Sequence, residues 1–169
     1  MRADDNPFWL WSLAHYGRAE LTLLRLQDEH QCDVNIILFC CWCSEEYAAL
    51  DQTDLNAAIT LSQDWTAQII KPIRAARKHL KNAIPPQEAL RDTVKNAELS
   101  AEHALQNMLY QFATERLKSA KNKKNNQANE IARKNLGFYD AQLLPKDRAR
   151  EALLQDLIPH IFATSHDPN

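Results

Sequence analysis

Three of the four cysteines lie close together, at Cys40, Cys41 and Cys43, and this spacing raises the question of a thiol or metal site. Structural zinc needs four thiolate or imidazole ligands that converge in a tetrahedron. In a helix, successive side chains point about 100° apart, so Cys40 and Cys41 diverge. The chain also has no second Cys-x-x-Cys pair. We therefore expect these cysteines to be small buried hydrophobic side chains, with no metal and no cofactor.

Polar side chains surround the start of the same apolar run, where apolar residues would be expected. A buried amide or carboxylate without a hydrogen bond costs roughly 1–3 kcal/mol, so these groups need partners. One interpretation is a capping network that anchors the turn at 28–34. The other is a pocket for a small molecule or peptide near Asp28, Asn35 and Arg74, with Trp42 as its floor. The candidate ligand-binding residues are Tyr16, Gln27, Asp28, Asn35, Trp42, Arg74, Arg77 and Glu98.

Two glutamates, Glu98 and Glu102, are one helical turn apart, and a basic stripe on an earlier predicted helix contains Arg74 and Arg77. A di-iron bundle would need Glu-x-x-His motifs, and residue 101 is an alanine. Packing the two helices against each other predicts a structural ion-pair network, with a ligand or catalytic site as the alternative. No serine, histidine and aspartate spacing suggests a nucleophilic triad, so enzymatic activity is the less favoured interpretation.

Residues 116–134 hold seven lysines and arginines against a single acid, Glu130. Basic segments can bind nucleic-acid phosphates. The segment has no aromatic residue on which a base could stack. The net charge of the chain, -2, gives no general attraction to nucleic acid. An exposed helix end and linker is therefore favoured, and weak nucleic-acid binding is kept as the second alternative.

The elements that position these residues are predicted to be helical. Glycine is scarce, with two residues in 169, and helix-forming residues are abundant. We expect an all-α, irregular multi-helix bundle around a buried central helix at about 34–50, capped by Asp33. A long amphipathic helix is predicted at 87–119. Residues 1–121 would form the helical core domain, and 122–169 a linker plus C-terminal helices that pack on the same domain.

Local signals also predict where helices begin, bend and end. Gly17 is expected to end a first helix that starts after Asn6, and Gly137 to break a later one. Thr53 is expected to cap the helix that follows the central one. Pro72 should kink that helix, because proline removes a hydrogen bond and crowds the preceding turn. The apolar stripe of the long helix comprises Leu90, Val94, Ala97, Ala101, Leu105, Met108 and Phe112.

An ordered series of short pieces carries a resemblance to a known family. The pieces are FWLWSL (8–13), Tyr16, LRLQD (24–28), DVNIILFCCW (33–42) and, more loosely, KPIRAARKHLK (71–81) and ELSAE (98–102). This series resembles an uncharacterised proteobacterial "conserved hypothetical" family, a short all-helical domain of unknown function. The resemblance implies a small, soluble, helical bacterial protein with no assigned activity and no catalytic residues to carry over. Aliphatic residues are usual in that pattern where this chain has Cys41 and Cys43.

The functional expectation follows from these observations. We expect a non-catalytic protein-interaction or accessory protein with an unknown protein partner. The first alternative is a small-molecule binder or enzyme that uses the polar pocket, and homo-oligomerisation is left open. No apolar run reaches the ~20 residues that a membrane span requires, and no signal peptide is evident. A cytoplasmic location with reduced thiols is therefore predicted.

Overall fold

The computed structural model describes residues 6–47, 49–117 and 125–163, and every regular element within them is helical. The all-α multi-helix architecture is therefore confirmed. No helix of this described part is both long and apolar enough to cross a membrane. The elements are α1 (Pro7–His30), α2 (Val34–Glu46), α3 (Gln52–Trp65), a π-helical turn (Thr66–Ile70), α4 (Lys71–Leu80), α5 (Glu88–Arg116), α6 (Asn125–Gln142) and α7 (Arg148–Ile161).

Helix α2 lies at the centre of the bundle and packs against α1, α3, α5 and α6. Its residues from Asn35 to Ser44 are all buried, as a helix that is apolar on every side requires. Asp33 caps it as predicted, because its Oδ1 accepts the Asn35 N–H at 2.9 Å. The helix ends at Glu46, four residues earlier than predicted. Tyr47 has left the helical conformation, with an extended backbone at φ -127°.

Helix α1 is continuous, and the predicted end at Gly17 is wrong. A glycine inside a helix costs only about 1 kcal/mol relative to alanine, which packing easily outweighs. Here Phe8, Leu23 and Leu26 are fully buried along one face of the uninterrupted helix. The left-handed residue that ends α1 is Gln31, at φ 56°. The predicted break at Gly137 is wrong for the same reason, since buried Leu136 and Tyr139 flank that glycine within α6.

The segment from α3 to α4 contains a π-helical turn immediately before the proline. The N-cap of α3 is Asp51, whose side chain accepts the Asp54 N–H at 2.8 Å. The predicted cap at Thr53 is therefore wrong. Pro72 has no N–H to donate and crowds the carbonyl four residues earlier, at Gln68. That carbonyl belongs to a residue of the π turn.

Helix α5 is slightly shorter than predicted and is buried along only part of its length. It begins at Glu88 and ends at Arg116; Leu117 is no longer helical, and residues 118 and 119 lie outside the described part. Leu90 is 51% exposed, so the first turns of the predicted apolar stripe do not reach the core. The buried residues of α5 begin at Glu98, and α1, α2 and α3 also contact this helix.

Helix α6 packs along α2 and contributes a buried asparagine. The Nδ2 of Asn135 donates to the Cys40 carbonyl at 3.0 Å, and its Oδ1 accepts the Leu50 N–H at 3.1 Å. Asn135 thus satisfies the backbone where the chain leaves the central helix. Helix α7 packs on α1 and α6. Its buried Arg150 bonds Asp140 at 2.6 Å and the Leu143 carbonyl at 3.1 Å, and thereby holds the turn between α6 and α7.

Replacing Asn135 with alanine is expected to lower the free energy of unfolding by about 2 kcal/mol, because the buried Leu50 N–H would lose its acceptor. Urea unfolding followed by circular dichroism measures this change. Glu130→Ala on the exposed side of α6 is the matched control and should change stability by less than about 0.5 kcal/mol. Equal effects of the two substitutions would contradict the structural role assigned to Asn135.

Candidate functional site

A cleft of about 580 Å³ runs between α1 and α5, and we call it the α1/α5 groove. One wall is the side of α1 from Trp9 to Gln27, and the other is the side of α5 from Lys95 to Gln106. Its floor is formed by Val34, Asn35 and Leu38 of α2, and Arg74 and Arg77 of α4 close one side. The α1 wall extends about 27 Å along the helix axis, from the helical rise per residue.

Asn35 on the floor and two wall residues, Ser12 and Gln106, are polar side chains whose hydrogen bonding is incomplete. The Oδ1 of buried Asn35 accepts a hydrogen bond from the Gln106 Nε2 at 3.0 Å. The Oε1 of Gln106 and the Oγ of Ser12 are both buried and have no hydrogen-bond partner among the described residues. All three side chains line the groove. The predicted amide at Asn35 thus enters the core with one partner, and the site around it holds two unsatisfied polar atoms.

Four charged side chains form a network on the α4 side of the groove. Arg74 bonds Glu98 at 2.6 Å and Glu102 at 2.8 Å, and Arg77 also pairs with Glu98. This is the ion-pair network that the facing stripes predict. All four residues line the groove, so the network also forms part of its wall.

The two glutamates of this network differ in their protonation behaviour. Burial alone would raise the pKa of Glu98, but the hydrogen bonds from Arg77 and Arg74 hold that pKa below its ordinary value. Glu102 has only Arg74 as a bonded partner. Burial therefore raises the pKa of Glu102, and the charge of Glu98 adds to this effect. Glu98 carries the ionised charge that both arginines need, while Glu102 is poised to take up a proton.

Tyr16 lies on the α1 wall, half-buried and close to acidic groups. Burial raises the pKa of its phenol, and the charges of Glu20 and Glu102 raise it further. The hydroxyl therefore stays protonated and is available as a neutral hydrogen-bond donor.

A second cleft, of about 540 Å³, lies beside the π-helical turn. Four residues line both clefts: Gln27, Val34, Asn35 and Arg74. The second cleft also contains Asp33, whose Oδ2 accepts from Ser62 at 2.5 Å and whose backbone N–H donates to the Tyr139 hydroxyl at 2.7 Å. Because the side chain of Asp33 bonds α2 and α3 and its backbone N–H bonds α6, Asp33 acts as a structural anchor, as the capping interpretation predicts.

Asp28 lies at the exposed rim of this second cleft. Its carboxylate accepts from the Lys78 Nζ at 3.2 Å and from the Gln27 Nε2 at 3.3 Å. The small burial of the group would raise its pKa, but these bonds bring that pKa below the ordinary value. Asp28 does not line the α1/α5 groove, so it is separated from Tyr16, Arg77 and Glu98 among the candidate residues.

Trp42 lines neither of these two clefts, and its predicted role as the floor of a pocket stays a prediction. It lies two helical turns beyond Asn35 on α2, where Phe8 of α1 covers it. Its ring stacks on Phe8 at 5.0 Å between centroids and contacts Tyr47 and Tyr110 edge-on or tilted at 5.4 and 5.9 Å. Trp42 is a core residue of the bundle.

All four cysteines are buried, as the helical geometry predicts. Burial raises the pKa of Cys32 to about 11, and it raises the pKa of Cys40 and Cys41 as well. These three thiols are therefore protonated and unreactive at neutral pH. Within the described ranges, no group of three or more histidine, cysteine, aspartate or glutamate side chains is arranged to hold a metal ion.

The basic segment at 116–134 is only partly described, since residues 118–124 lie outside the described part. Arg116 pairs with Asp54 at 3.5 Å and lies over the Phe112 ring. Arg133 donates to the Gln155 side chain at 2.8 Å. These two arginines thus contact the bundle, and nucleic-acid binding by the segment stays a prediction.

Sequence reasoning did not identify Gln106 or Asn135. Both lie on helices with an apolar stripe, and a polar residue one position from such a stripe is usually exposed. The only available signal is their position next to buried leucines, Leu105 and Leu136. That signal does not distinguish a buried amide from an exposed one.

Comparison with known proteins gives one relationship. No curated protein and no solved structure matches the chain. The model of a family described as protein of unknown function (DUF2390) matches residues 7–109, which is more than half of the chain and covers α1 to most of α5. The matched region therefore includes both walls and the floor of the α1/α5 groove. The chain belongs to the DUF2390 family of proteins of unknown function.

Proposed function

We propose that this protein is a non-catalytic binding protein that holds an amphipathic helix of a partner protein in the α1/α5 groove. The observation that carries this proposal is the exposure of leucines on both walls. Leu13 and Leu24 on α1 are 57% and 37% exposed, and Leu99 on α5 is 48% exposed. Exposed apolar side chains grouped around a groove are typical of protein-interaction sites.

The position of these leucines favours a protein segment over a small molecule. A small ligand is usually enclosed by its pocket, which buries most of the surface of the ligand. Here the exposed apolar side chains lie along the walls of a long cleft, where a small ligand would leave them in water. A segment that spans the groove covers Leu13, Leu24 and Leu99 at once. Burial of each leucine contributes roughly 1 kcal/mol or more, depending on the area removed from water.

The shape of the groove favours a helix as the bound segment. Two helices form its walls, and a third helix with apolar residues at spacings of three and four can pack its side chains between them. The length of the α1 wall, about 27 Å, corresponds to five turns of such a helix. The bound helix would complete the packing of α1 against α5, as the buried helices do elsewhere in the bundle.

The charged side chains of the groove support binding better than catalysis. Arg74, Arg77, Glu98 and Glu102 bond to one another and together carry no net charge when all are ionised. A general acid or base must instead be available to a substrate. The network is better suited to shaping the wall of the groove and to excluding partners with an unmatched charge.

Selection from a displayed library of 18-residue helical peptides tests the proposal. We expect the wild-type protein to select peptides with an apolar face, and Leu99→Asp to weaken their affinity at least tenfold by placing a charge in the groove. Leu144→Asp is the matched control, because Leu144 is an exposed leucine outside the groove, at 84% exposure. Titration calorimetry with both variants measures the difference. Failure to select any saturable binder, or equal binding to both variants, would contradict the proposal.

A further inference from the structure

Glu102 is a carboxylate of the groove that water still reaches. Its side chain lines the α1/α5 groove and is 27% exposed, whereas the side chain of Glu98 is 8% exposed. One oxygen of Glu102, Oε1, accepts a hydrogen bond from the Arg74 Nη2 at 2.8 Å. The other oxygen, Oε2, accepts from no described residue and remains accessible to solvent. The ionised form of Glu102 therefore depends on water in the groove for part of its solvation.

The charges around Glu102 compensate its own charge only in part. The titratable and charged groups that act on it come from four parts of the fold: Tyr16 of α1, Asp33 before α2, Arg74 and Arg77 of α4, and Glu98 of α5. Both arginines pair with Glu98, and only Arg74 also pairs with Glu102. Burial, together with the charges of Glu98 and Asp33, outweighs Arg74 and raises the pKa of Glu102 already in the free protein.

We infer that a helix bound in the α1/α5 groove covers the Glu102 carboxylate, and that binding is therefore coupled to the uptake of a proton by Glu102 and strengthens as the pH falls. The inference rests on the proposed function, because it describes how the same groove responds to its partner. The proton comes from the solvent and converts the carboxylate of Glu102 to a carboxylic acid, and no other bond changes.

The position of Glu102 beside an exposed leucine is the reason to expect that a partner covers it. Leu99 lies three residues before Glu102, so the two side chains are neighbours on one side of α5, and both line the groove. An apolar face that covers Leu99 also removes water from Glu102 and supplies no hydrogen bond in return. An ionised carboxylate in such surroundings is costly, and the group takes up a proton instead.

Protonation of Glu102 leaves each arginine of the network with a partner. Arg74 keeps its bond to Glu98 at 2.6 Å, and Arg77 remains paired with the same carboxylate. A protonated carboxyl group can also still accept a hydrogen bond, so Arg74 need not lose its contact with Glu102. Glu98 is a poorer candidate for the proton, because it is already buried and the two arginines hold its pKa below the ordinary value.

The direction of the pH effect follows from linkage. A group whose pKa is higher in the bound state than in the free state carries more protons when the partner is bound. The affinity then rises as the pH falls through the bound-state pKa, and it becomes constant below the free-state pKa. Since the pKa of Glu102 lies above its ordinary value of 4.5 even in the free protein, we expect this rise between neutral pH and that value.

Titration calorimetry of the selected helical peptides at about pH 7.5 and about pH 5.5 tests the inference. Peptides without aspartate, glutamate or histidine and with blocked termini are used, because they do not titrate in this interval. We expect the wild-type protein to bind them about fivefold more tightly at the lower pH. Measurements in two buffers with different enthalpies of ionisation should show that the complex takes up protons from the buffer.

Glu102→Gln assigns the proton to one residue, because glutamine imitates the protonated side chain. At about pH 7.5 we expect this variant to bind the peptides about fivefold more tightly than the wild type, and to show no dependence on pH. Glu20→Gln is the matched control. Glu20 also lines the groove, but it is exposed and pairs with no described residue, so this variant should keep the pH dependence of the wild type. Circular dichroism at both pH values confirms that each variant is folded.

Three results would overturn this inference and leave the helix-binding role intact. Peptides that need Leu99 but bind equally at both pH values would show that Glu102 does not change its protonation. An affinity that falls with the pH would show that the peptide brings a cation to the carboxylate. A pH dependence that persists in Glu102→Gln would assign the proton to another group. The absence of any peptide whose binding depends on Leu99 would overturn both the inference and the proposed function.

Discussion

Replacing Trp42 with alanine is expected to lower the free energy of unfolding by about 4 kcal/mol, the largest effect we expect from a single substitution. The indole is buried at the centre of the bundle and contacts aromatic rings from α1, α2 and α5, including Phe8, Phe39 and Tyr110. Truncation to alanine removes these contacts and leaves a cavity that close-packed neighbours cannot fill. Since domains of this size are stable by roughly 5–15 kcal/mol, the loss is a large fraction of the total.

Urea unfolding followed by fluorescence and circular dichroism measures this loss. Trp42→Phe is the matched control, because it retains an aromatic ring and should cost about half as much. Trp42→Ala should leave the affinity for a groove-binding peptide unchanged under conditions where the variant is folded, since Trp42 does not line the groove. A variant of unchanged stability that no longer binds the peptide would show instead that Trp42 forms part of the binding site.

The second large effect is expected at Glu98. Its carboxylate pairs with Arg74 and Arg77 and is buried, with 8% of its side chain exposed. Breaking a buried ion pair leaves the remaining charges unpaired, which costs roughly 3–5 kcal/mol in the interior. Both arginines are partly exposed, at 18% and 26%, so water screens them in part. We therefore expect Glu98→Gln to lower the free energy of unfolding by about 3 kcal/mol at pH 7.

Glu102→Gln is the matched control, one turn along the same helix and facing the same arginine. Burial raises the pKa of Glu102, so its native environment favours the neutral form that glutamine imitates. Loss of the bond to Arg74 lowers the stability of the folded protein, whereas removal of a buried charge raises it, so the two effects oppose each other. We expect a net change of less than about 1 kcal/mol at pH 7. Equal losses for the two variants would contradict the different roles assigned to the two glutamates.

The two variants should also respond to pH with opposite signs. The pKa of Glu98 is lowered in the folded protein, so its stabilisation is present above the ordinary value of 4.5 and is lost as the pH falls below it. The difference in the free energy of unfolding between Glu98→Gln and the wild type should therefore decrease in acid. The pKa of Glu102 is raised, so wild-type folding takes up a proton and gains stability as the pH falls towards 4.5. The free energy of unfolding of Glu102→Gln, compared with that of the wild type, should therefore be highest at pH 7 and should decrease in acid.

Local sequence signals predicted the central helix and its cap correctly. A run that is apolar on every side can be stable only inside a protein, and an aspartate before it satisfies the first backbone N–H groups. Both effects depend on residues close together in the chain, which explains why Asp33 and α2 were predictable. The ion pairs of Glu98 were also predictable in kind, since complementary stripes on two long helices indicate that the helices pack together.

Glycines and the threonine cap show where local signals failed. Gly17 and Gly137 have weak intrinsic preferences against helix, about 1 kcal/mol each, and burial of the flanking apolar residues exceeds that amount. Thr53 was a suitable cap by residue type, but Asp51, two residues earlier, accepts the backbone N–H of Asp54 in the first turn of α3 instead. Choices between alternatives that differ by about 1 kcal/mol depend on contacts with the rest of the fold.

Composition, periodicity and the Asp33 cap thus establish an all-α bundle with a buried cysteine-rich helix, because these properties depend on the preferences of neighbouring residues. The groove and its polar floor required the tertiary structure. Asn35 and Gln106 are 71 residues apart, and their hydrogen bond joins α2 to α5 beside the groove. The core position of Trp42 likewise depends on Phe8, which belongs to another helix. Hydrogen bonds and packing between distant segments have no local pattern, since either partner would be equally acceptable at many other positions in the chain.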